Sequence, residues 1–197
     1  MEKNLSSKLE AELNKILSNR IMIIDGPLGT MIQQHKLTEE DYRGGKDGKF
    51  IIFSAPKGER ELFLKGNNEL LSLTQPQIIK KIHEDYLDAG ADIIETNTFG
   101  ANSIAQDDYY MPHLIHDMNY ESARLAKEAT EKFSTPEKPR FVAGAIGPTP
   151  KTASISPDVN DPGARNIDFD QLVTSYKEQT KSLIEGGVDI IFTSINP

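Results

Sequence analysis

Short apolar runs of strand length alternate with longer amphipathic segments along most of this chain of 197 residues. Three of the runs cover residues 20–25, 140–146 and 188–192, and the fourth begins the segment 91–99, a predicted strand followed by a polar loop. The spacing of apolar residues predicts helices over 5–17, from Thr74 to Gly90, over 113–133, and from Asp168 to Gly187. Strands and helices that alternate in this way are typical of a parallel sheet with helices packed outside it.

The first run, residues 20–25, is apolar without alternation between its two faces. Continuous apolarity is typical of a strand that is covered on both faces, so we expect these residues to be buried. The long polar connection over residues 38–68 contains one apolar patch, from Phe50 to Phe53, which predicts a short extra strand.

Local signals mark where two of the helices begin. Thr74 as the N-cap, Gln77 three residues later and Pro76 in the first turn predict the start of one helix. Asp168 followed by Gln171 predicts the start of another. We expect the apolar residues of this last helix to face the core, namely Leu172, Val173, Tyr176, Leu183 and Ile184.

The chain contains one internal similarity. Residues 89–98 resemble residues 186–195, and each segment is the end of a predicted helix followed by a predicted strand. The shared positions are Gly90 and Gly187, Asp92 and Asp189, Ile93 and Ile190, Ile94 and Ile191, and Thr96 and Thr193. The similarity supports a fold in which one strand–helix unit is repeated.

Two α/β architectures fit this order of elements: an open doubly wound sheet and part of a (β/α)8 barrel. The chain has no G-x-G-x-x-G after any predicted strand, which disfavours dinucleotide binding. Four strands would form the first half of a barrel and would leave two open sheet edges. We therefore interpret the chain as a fragment of a larger unit.

The net charge is −8, which argues against a nucleic acid or an anionic membrane as partner, because nothing neutralises phosphate in bulk. The apolar runs are too short to span a membrane, and the N-terminus lacks the apolar core of a signal peptide. These features favour a cytoplasmic protein.

The sequence assigns no catalytic residue and no metal ligand. It has no cysteine, so it has neither a thiol nucleophile nor a thiolate metal site. The four histidines, His35, His83, His113 and His116, form no metal-binding pattern.

In parallel α/β folds, ligands bind at the carboxyl ends of the strands, and four polar or glycine-rich ends are present here. They are residues 25–30, 95–97, 147–149 and 193–196. The backbone N–H groups near Gly26 and Gly29 suit a ligand carboxylate, and Asp25 or Glu95 suits a ligand ammonium. Together they favour an amino-acid-like ligand, although each end taken alone is more often a turn or a strand stop.

These strand ends, with other stretches, closely resemble the N-terminal homocysteine-binding module of cobalamin-dependent methionine synthases, within the homocysteine S-methyltransferase family. The stretches are residues 20–33, 64–68, 89–99, 141–149, 152–160 and 165–166. The Lys-Gly-Asn-Asn and Ser-Ile-Ser-Pro-Asp-Val-Asn segments point to the cobalamin-dependent branch.

The resemblance implies an N-terminal helix over residues 1–19 and a partial homocysteine-binding domain over 20–197, truncated after the fourth strand of a (β/α)8 TIM barrel. In this family, zinc held by three cysteines binds the homocysteine sulfur, and methylcobalamin, regenerated from folate in other modules, supplies the methyl group that yields methionine. The implied substrate-binding residues are Asp25, Gly26, Gly29, Thr30, Glu95, Asn97, Gly147 and Thr149.

The chain also departs from the family pattern. The zinc cysteines belong to strands beyond Pro197, Pro27 removes one backbone donor, and Ser194 stands where the family has a glutamate. Residues 46–63 look like an insertion. We therefore expect the chain alone to be inactive. Two alternatives are a non-catalytic truncated copy, which self-associates or pairs with an intact barrel through its open sheet edge, and a different small-molecule enzyme of the open α/β type.

Overall fold

The computed structural model describes residues 2–45, 63–154, 156 and 158–194. Its helices are α1 (Glu2–Leu17), α2 (Leu28–Gln34), α3 (Glu39–Tyr42), α4 (Leu71–Thr74), α5 (Pro76–Asp88), α6 (Ser103–Gln106), α7 (Ile115–Phe133) and α8 (Phe169–Glu185). Its strands are β1 (Ile93–Glu95), β2 (Phe141–Ile146) and β3 (Ile190–Thr193). Single 3-10 turns cover Asn68–Leu70, Asp107–Tyr109 and Pro112–Leu114. The apolar patch from Phe50 to Phe53 lies outside the described residues.

The sheet is parallel, in the order β1-β2-β3. The first predicted strand is present as a segment that pairs beside β1 through a single parallel bridge between Ile24 and Ile93. The Asp25 N–H donates to the Ile93 carbonyl at 2.9 Å, and the Ile93 N–H donates to the Ile23 carbonyl at 3.1 Å. Three strands and one bridged segment therefore stand where four strands were expected, and they follow one another across the sheet in chain order.

The prediction that residues 20–25 are covered on both faces is wrong. Ile21 is 81% exposed and Ile23 is 56% exposed. The segment forms one edge of the sheet, and no strand in the described part of the chain lies beyond it. Continuous apolarity predicts a strand that is covered on both faces. Burial also requires a neighbouring strand on the outer side of the segment, and the described residues supply none there.

Helices α5 and α7 pack against the sheet and against each other. Ile79 and Ile82 of α5 and Leu125 of α7 belong to one buried cluster, and Ala126 of α7 packs in a second with Val142 of β2. All six residues of β2 are buried, which is the environment expected of a central strand in a sheet covered on both faces.

The predicted position of the start of α5 is confirmed, but the predicted capping residue is wrong. Pro76 is the first helical residue, where its missing N–H is harmless, but the N-cap is Gln75, and Gln75 makes no capping hydrogen bond. Thr74 ends the preceding helix α4, and its hydroxyl donates to the Leu70 carbonyl at 3.3 Å. The Thr74 hydroxyl, which was predicted to cap α5, is therefore used in this bond instead.

The predicted capping box of α8 is confirmed. The Gln171 N–H donates to Asp168 Oδ1 at 2.8 Å, and the Asp168 N–H donates to Gln171 Oε1 at 3.0 Å. The two reciprocal bonds satisfy backbone donors that a helix start otherwise leaves unpaired.

The prediction that the apolar residues of α8 face the core is only partly right. Leu183 is buried, but Val173 is 45% exposed and Ile184 is 60% exposed. The residues of α8 that are buried with Leu183 are polar: Ser175, Gln179 and Ser182. No helix of the described residues covers the exposed apolar side of α8.

The internal similarity corresponds to two equivalent structural positions. Asp92 Oδ2 accepts the Ile23 N–H at 2.9 Å, and Asp189 Oδ2 accepts the Val142 N–H at 2.8 Å. Each aspartate also pairs with a cation, Asp92 with Arg20 and Asp189 with Lys127. In both copies the aspartate therefore links the start of its strand to the neighbouring strand.

The described helices include none that combines the length and the apolar character needed to cross a bilayer.

Candidate functional site

A pocket of about 420 Å³ opens where the bridged segment and β1 end. Five of the eight predicted substrate-binding residues line it: Asp25, Gly26, Gly29, Glu95 and Asn97. The other lining residues are Pro27, Leu28, Asn68, Glu69, Thr96, Thr98, Phe99 and Ala145. The pocket lies at the carboxyl ends of parallel strands, where α/β folds bind small ligands.

Asp25 and Glu95 bring two carboxyl groups to the same wall of this pocket. Asp25 Oδ2 accepts the Glu95 backbone N–H at 3.1 Å, which ties the ends of the two neighbouring segments together. Burial raises the pKa of Asp25 to about 7, and the nearby Glu95 charge adds to the rise. Burial also raises the pKa of Glu95. A cationic ligand group would favour the ionised form of both carboxyls.

Glu69 is a third carboxyl in the pocket, and its position depends on a glycine. Its Oε1 accepts the Gly100 N–H at 2.8 Å, and burial raises its pKa. A Cβ on residue 100 would stand 2.9 Å from the same Glu69 oxygen, which is too close. Gly100 therefore permits this approach of Glu69.

Asn97 holds the floor of the pocket together. Its Nδ2 donates to the Asn68 carbonyl at 2.7 Å and to Ser72 Oγ at 3.2 Å, while its backbone N–H donates to Ser122 Oγ at 2.8 Å. Because these bonds occupy both Nδ2 and the backbone N–H, Asn97 supports the site and has no donor available to a ligand.

The remaining three predicted residues do not line the pocket. Thr30 is exposed on α2. The Gly147 N–H donates to the Phe99 carbonyl at 3.0 Å, and Thr149 Oγ1 donates to the Lys151 carbonyl at 2.6 Å. Gly147 and Thr149 are thus used in local structure beside the pocket.

Two lining residues, Asn68 and Glu69, come from a segment that precedes the α4 helix rather than from a strand end. The strand-end rule does not find such residues, because they reach the pocket from a connecting segment. The signal that pointed to them was the Lys-Gly-Asn-Asn stretch over residues 65–68, which the family resemblance contains.

A larger apolar groove of about 770 Å³ runs along α8. Its lining comes from one helix and includes Phe169, Val173, Tyr176 and Ile184, with Lys177 and Lys181 at its border. A groove on one helix face lacks the converging polar groups of a ligand site, so we assign the ligand site to the smaller pocket.

The described residues do not fit the zinc site that the resemblance implies. Among them, no three or more His, Asp or Glu side chains are arranged to hold a metal ion. The sequence also contains no cysteine, so the chain has no thiolate to offer.

The sequence pattern of the family described as homocysteine S-methyltransferase matches residues 22–197. The fold is similar to crystal structures of the homocysteine methyltransferase MmuM from Escherichia coli. The metallated form aligns with a TM-score of 0.63 and 17% identity, covering 92% of this chain and 56% of that one. The oxidised form aligns with a TM-score of 0.63 and 16% identity, covering 91% and 55%.

The chain therefore spans about half the length of the methyltransferase whose fold it shares. The similarity favours a partial TIM barrel over an open doubly wound sheet, because the three parallel strands and their helices align over 92% of this chain.

Proposed function

The chain belongs to the homocysteine S-methyltransferase family, and on this premise we propose that its pocket binds the amino-acid portion of homocysteine. The observation that carries the proposal is the pairing of Asp25 with the Glu95 backbone at the end of adjacent strand segments. Two carboxyls on one wall suit the ammonium group of an amino acid.

The carboxylate of the ligand would be bound near Gly26 and Gly29. Both glycines line the pocket, and at Gly29 the absence of a side chain lets a ligand approach the backbone N–H groups. Pro27, between them, contributes no N–H. The pocket would thus hold both charged groups of an amino acid and leave the thiol directed elsewhere.

The reaction proposed for the whole protein is transfer of a methyl group to the homocysteine sulfur, with loss of the thiol proton, to give methionine. The resemblance assigns the methyl group to methylcobalamin. The described residues contribute substrate binding, and sulfur activation by zinc lies outside them because no thiolate is present. We expect the chain alone to bind homocysteine without methylating it.

We propose that residues 20–197 are the first half of the barrel and that the helix before them is an N-terminal addition. The exposed Ile21, Ile23 and Phe192 support this proposal, because they lie along the two open edges of the sheet. Further strands of a barrel would cover both edges.

A second candidate is a non-catalytic protein that associates through these edges with another copy or with an intact barrel. The apolar side of α8 next to β3 favours it, since a surface of this kind is typical of a protein interface. Its test is the oligomeric state of the chain in solution.

Titration calorimetry of the full chain with L-homocysteine tests the main proposal. We expect saturable binding that Asp25→Asn weakens by about tenfold or more, because a charge-assisted bond is lost. Asp108→Asn is the matched control, since Asp108 is exposed and outside the pocket. Equal affinities of the wild type and Asp25→Asn would contradict the proposal.

A further inference from the structure

The side chain of Asn68 lines the pocket close to Gly29. Its Nδ2 lies 3.7 Å from the point where a Cβ on Gly29 would stand. Within the described residues, no hydrogen-bond acceptor is paired with this nitrogen. Asn68 therefore brings an unused donor to the part of the pocket where the proposed carboxylate lies.

Tyr42 orients this amide. The buried Tyr42 hydroxyl donates to Asn68 Oδ1 at 2.8 Å. Burial raises the pKa of the Tyr42 phenol, so the hydroxyl keeps its proton at neutral pH. Because the phenol proton is donated to Asn68 Oδ1, Tyr42 holds the oxygen end of the amide, and Nδ2 is left on the side of Gly29.

The backbone of Asn68 is held as well as its side chain. The Asn68 carbonyl accepts from Asn97 Nδ2 at 2.7 Å, and the Asn68 N–H donates to the Gly66 carbonyl at 3.0 Å. Because hydrogen bonds hold both the backbone and the side chain of Asn68, its Nδ2 loses little conformational freedom when a ligand binds, which favours a strong contact.

The charges around the pocket determine which ligand group this donor meets. Asp25, Glu69 and Glu95 all line the pocket, so an anionic ligand group is repelled by each of these carboxylates when it is ionised. The side of Asn68 and Gly29 offers donors and is the favourable place for a carboxylate.

We propose that Asn68 Nδ2 donates to the carboxylate of the bound amino acid and makes the pocket selective for ligands that carry one, with Tyr42 as its positioning residue. This inference rests on the proposed function and names the residue that recognises one group of that substrate.

The test compares two ligands that differ only in the carboxylate: L-homocysteine and 3-aminopropane-1-thiol, which keeps the ammonium and the thiol. Titration calorimetry is carried out with the full-length wild type, Asn68→Ala and Asn68→Asp.

We expect Asn68→Ala to weaken homocysteine binding by about tenfold and Asn68→Asp to weaken it more, because a carboxylate then faces a carboxylate. Binding of the aminothiol should change by less than about twofold in Asn68→Ala. Asn160→Ala, in an exposed loop, is the matched control.

Tyr42→Phe separates positioning from simple support of the fold. We expect it to weaken homocysteine binding less than Asn68→Ala does, and to have no further effect when it is combined with Asn68→Ala. If Tyr42 only supported the fold, Tyr42→Phe would lower the affinity for both ligands. It would also lower the affinity further when it is combined with Asn68→Ala. Circular dichroism and thermal unfolding verify that each variant is folded.

The outcomes are distinct. If the wild type binds homocysteine and Asn68→Ala binds it equally well, the inference is wrong and the proposed function stands. If Asn68→Ala loses both ligands in equal proportion, Asn68 does not recognise the carboxylate and the inference is again wrong. If the wild type binds neither ligand, both the proposed function and the inference are wrong.

Discussion

The carboxylate of Asp25 accepts the backbone N–H of Glu95 at 3.1 Å, so the ends of two neighbouring segments of the sheet are joined at the mouth of the pocket. The bond places one carboxyl close to another in a partly buried environment, and burial raises the pKa of both. This pair is the part of the described site best suited to a ligand cation.

Homocysteine binding is expected to strengthen as the pH rises through about 7, the value to which burial raises the pKa of Asp25. Below that pH the carboxyl is protonated and does not attract an ammonium group. We expect the association constant to rise by up to about tenfold per pH unit below the pKa and to level off above it. Calorimetry across this range measures the profile, and Asp25→Asn should flatten it. A flat profile for the wild type would rule out Asp25 as the ammonium-binding group.

Asp25 is also expected to destabilise the folded chain at high pH. Its pKa is about 7 in the folded protein against an ordinary value of 3.8, so the folded state binds this proton more tightly than the unfolded state. Its contribution to stability is therefore present below about pH 4 and is lost as the pH rises through 7. We expect Asp25→Asn to be more stable than the wild type near pH 8, by up to about 4 kcal/mol. Urea unfolding at two pH values measures the difference, and a variant that is less stable at high pH would contradict it.

His83 is expected to make the fold sensitive to acid. Its ring is fully buried, neither ring nitrogen has a hydrogen-bond partner among the described residues, and burial lowers its pKa from 6.5 to about 4. The unfolded state therefore binds the proton more tightly, and stability falls as the pH drops from about 6.5 towards 4. The loss amounts to about 3 kcal/mol. His83→Leu should remove this part of the pH dependence in urea unfolding, and identical slopes in both proteins would show that His83 is not the cause.

The exposed apolar side of α8 is expected to drive association of the chain in the absence of a covering partner. Val173 and Ile184 lie on this side and are 45% and 60% exposed. Sedimentation velocity should reveal concentration-dependent association that Val173→Asp and Ile184→Asp reduce. Val159→Asp is the matched control, because Val159 is 97% exposed and lies on a loop away from α8. A chain that is monomeric at every concentration, or one that responds equally to Val159→Asp, would exclude this role for α8.

Local signals in the sequence predicted those features that depend on neighbouring residues. The capping box of Asp168 and Gln171 is one, and the start of α5 at Pro76 is another. The convergence of Asp25 and Glu95 also followed from the sequence, because parallel strands bring their carboxyl ends to one side of a sheet.

Features that depend on distant contacts could not be predicted in the same way. The apolar spacing of α8 identifies a face but not its partner, so Val173 and Ile184 were expected in the core and are exposed. Ile21 was expected to be buried because its run is apolar, but it lies on the open edge of the sheet. Asn68 reaches the pocket from a connecting segment, which the strand-end rule does not cover.

The most direct test of the account is the location of homocysteine on the chain. Two-dimensional amide NMR of the full chain, titrated with L-homocysteine, reports which backbone groups respond to the ligand. We predict saturable shifts at Gly26, Gly29 and Glu95, with the residues of α8 unaffected, and loss of these shifts in Asp25→Asn. Shifts confined to α8, or no saturable shift at the pocket, would contradict the claim that this pocket binds the amino-acid portion of homocysteine.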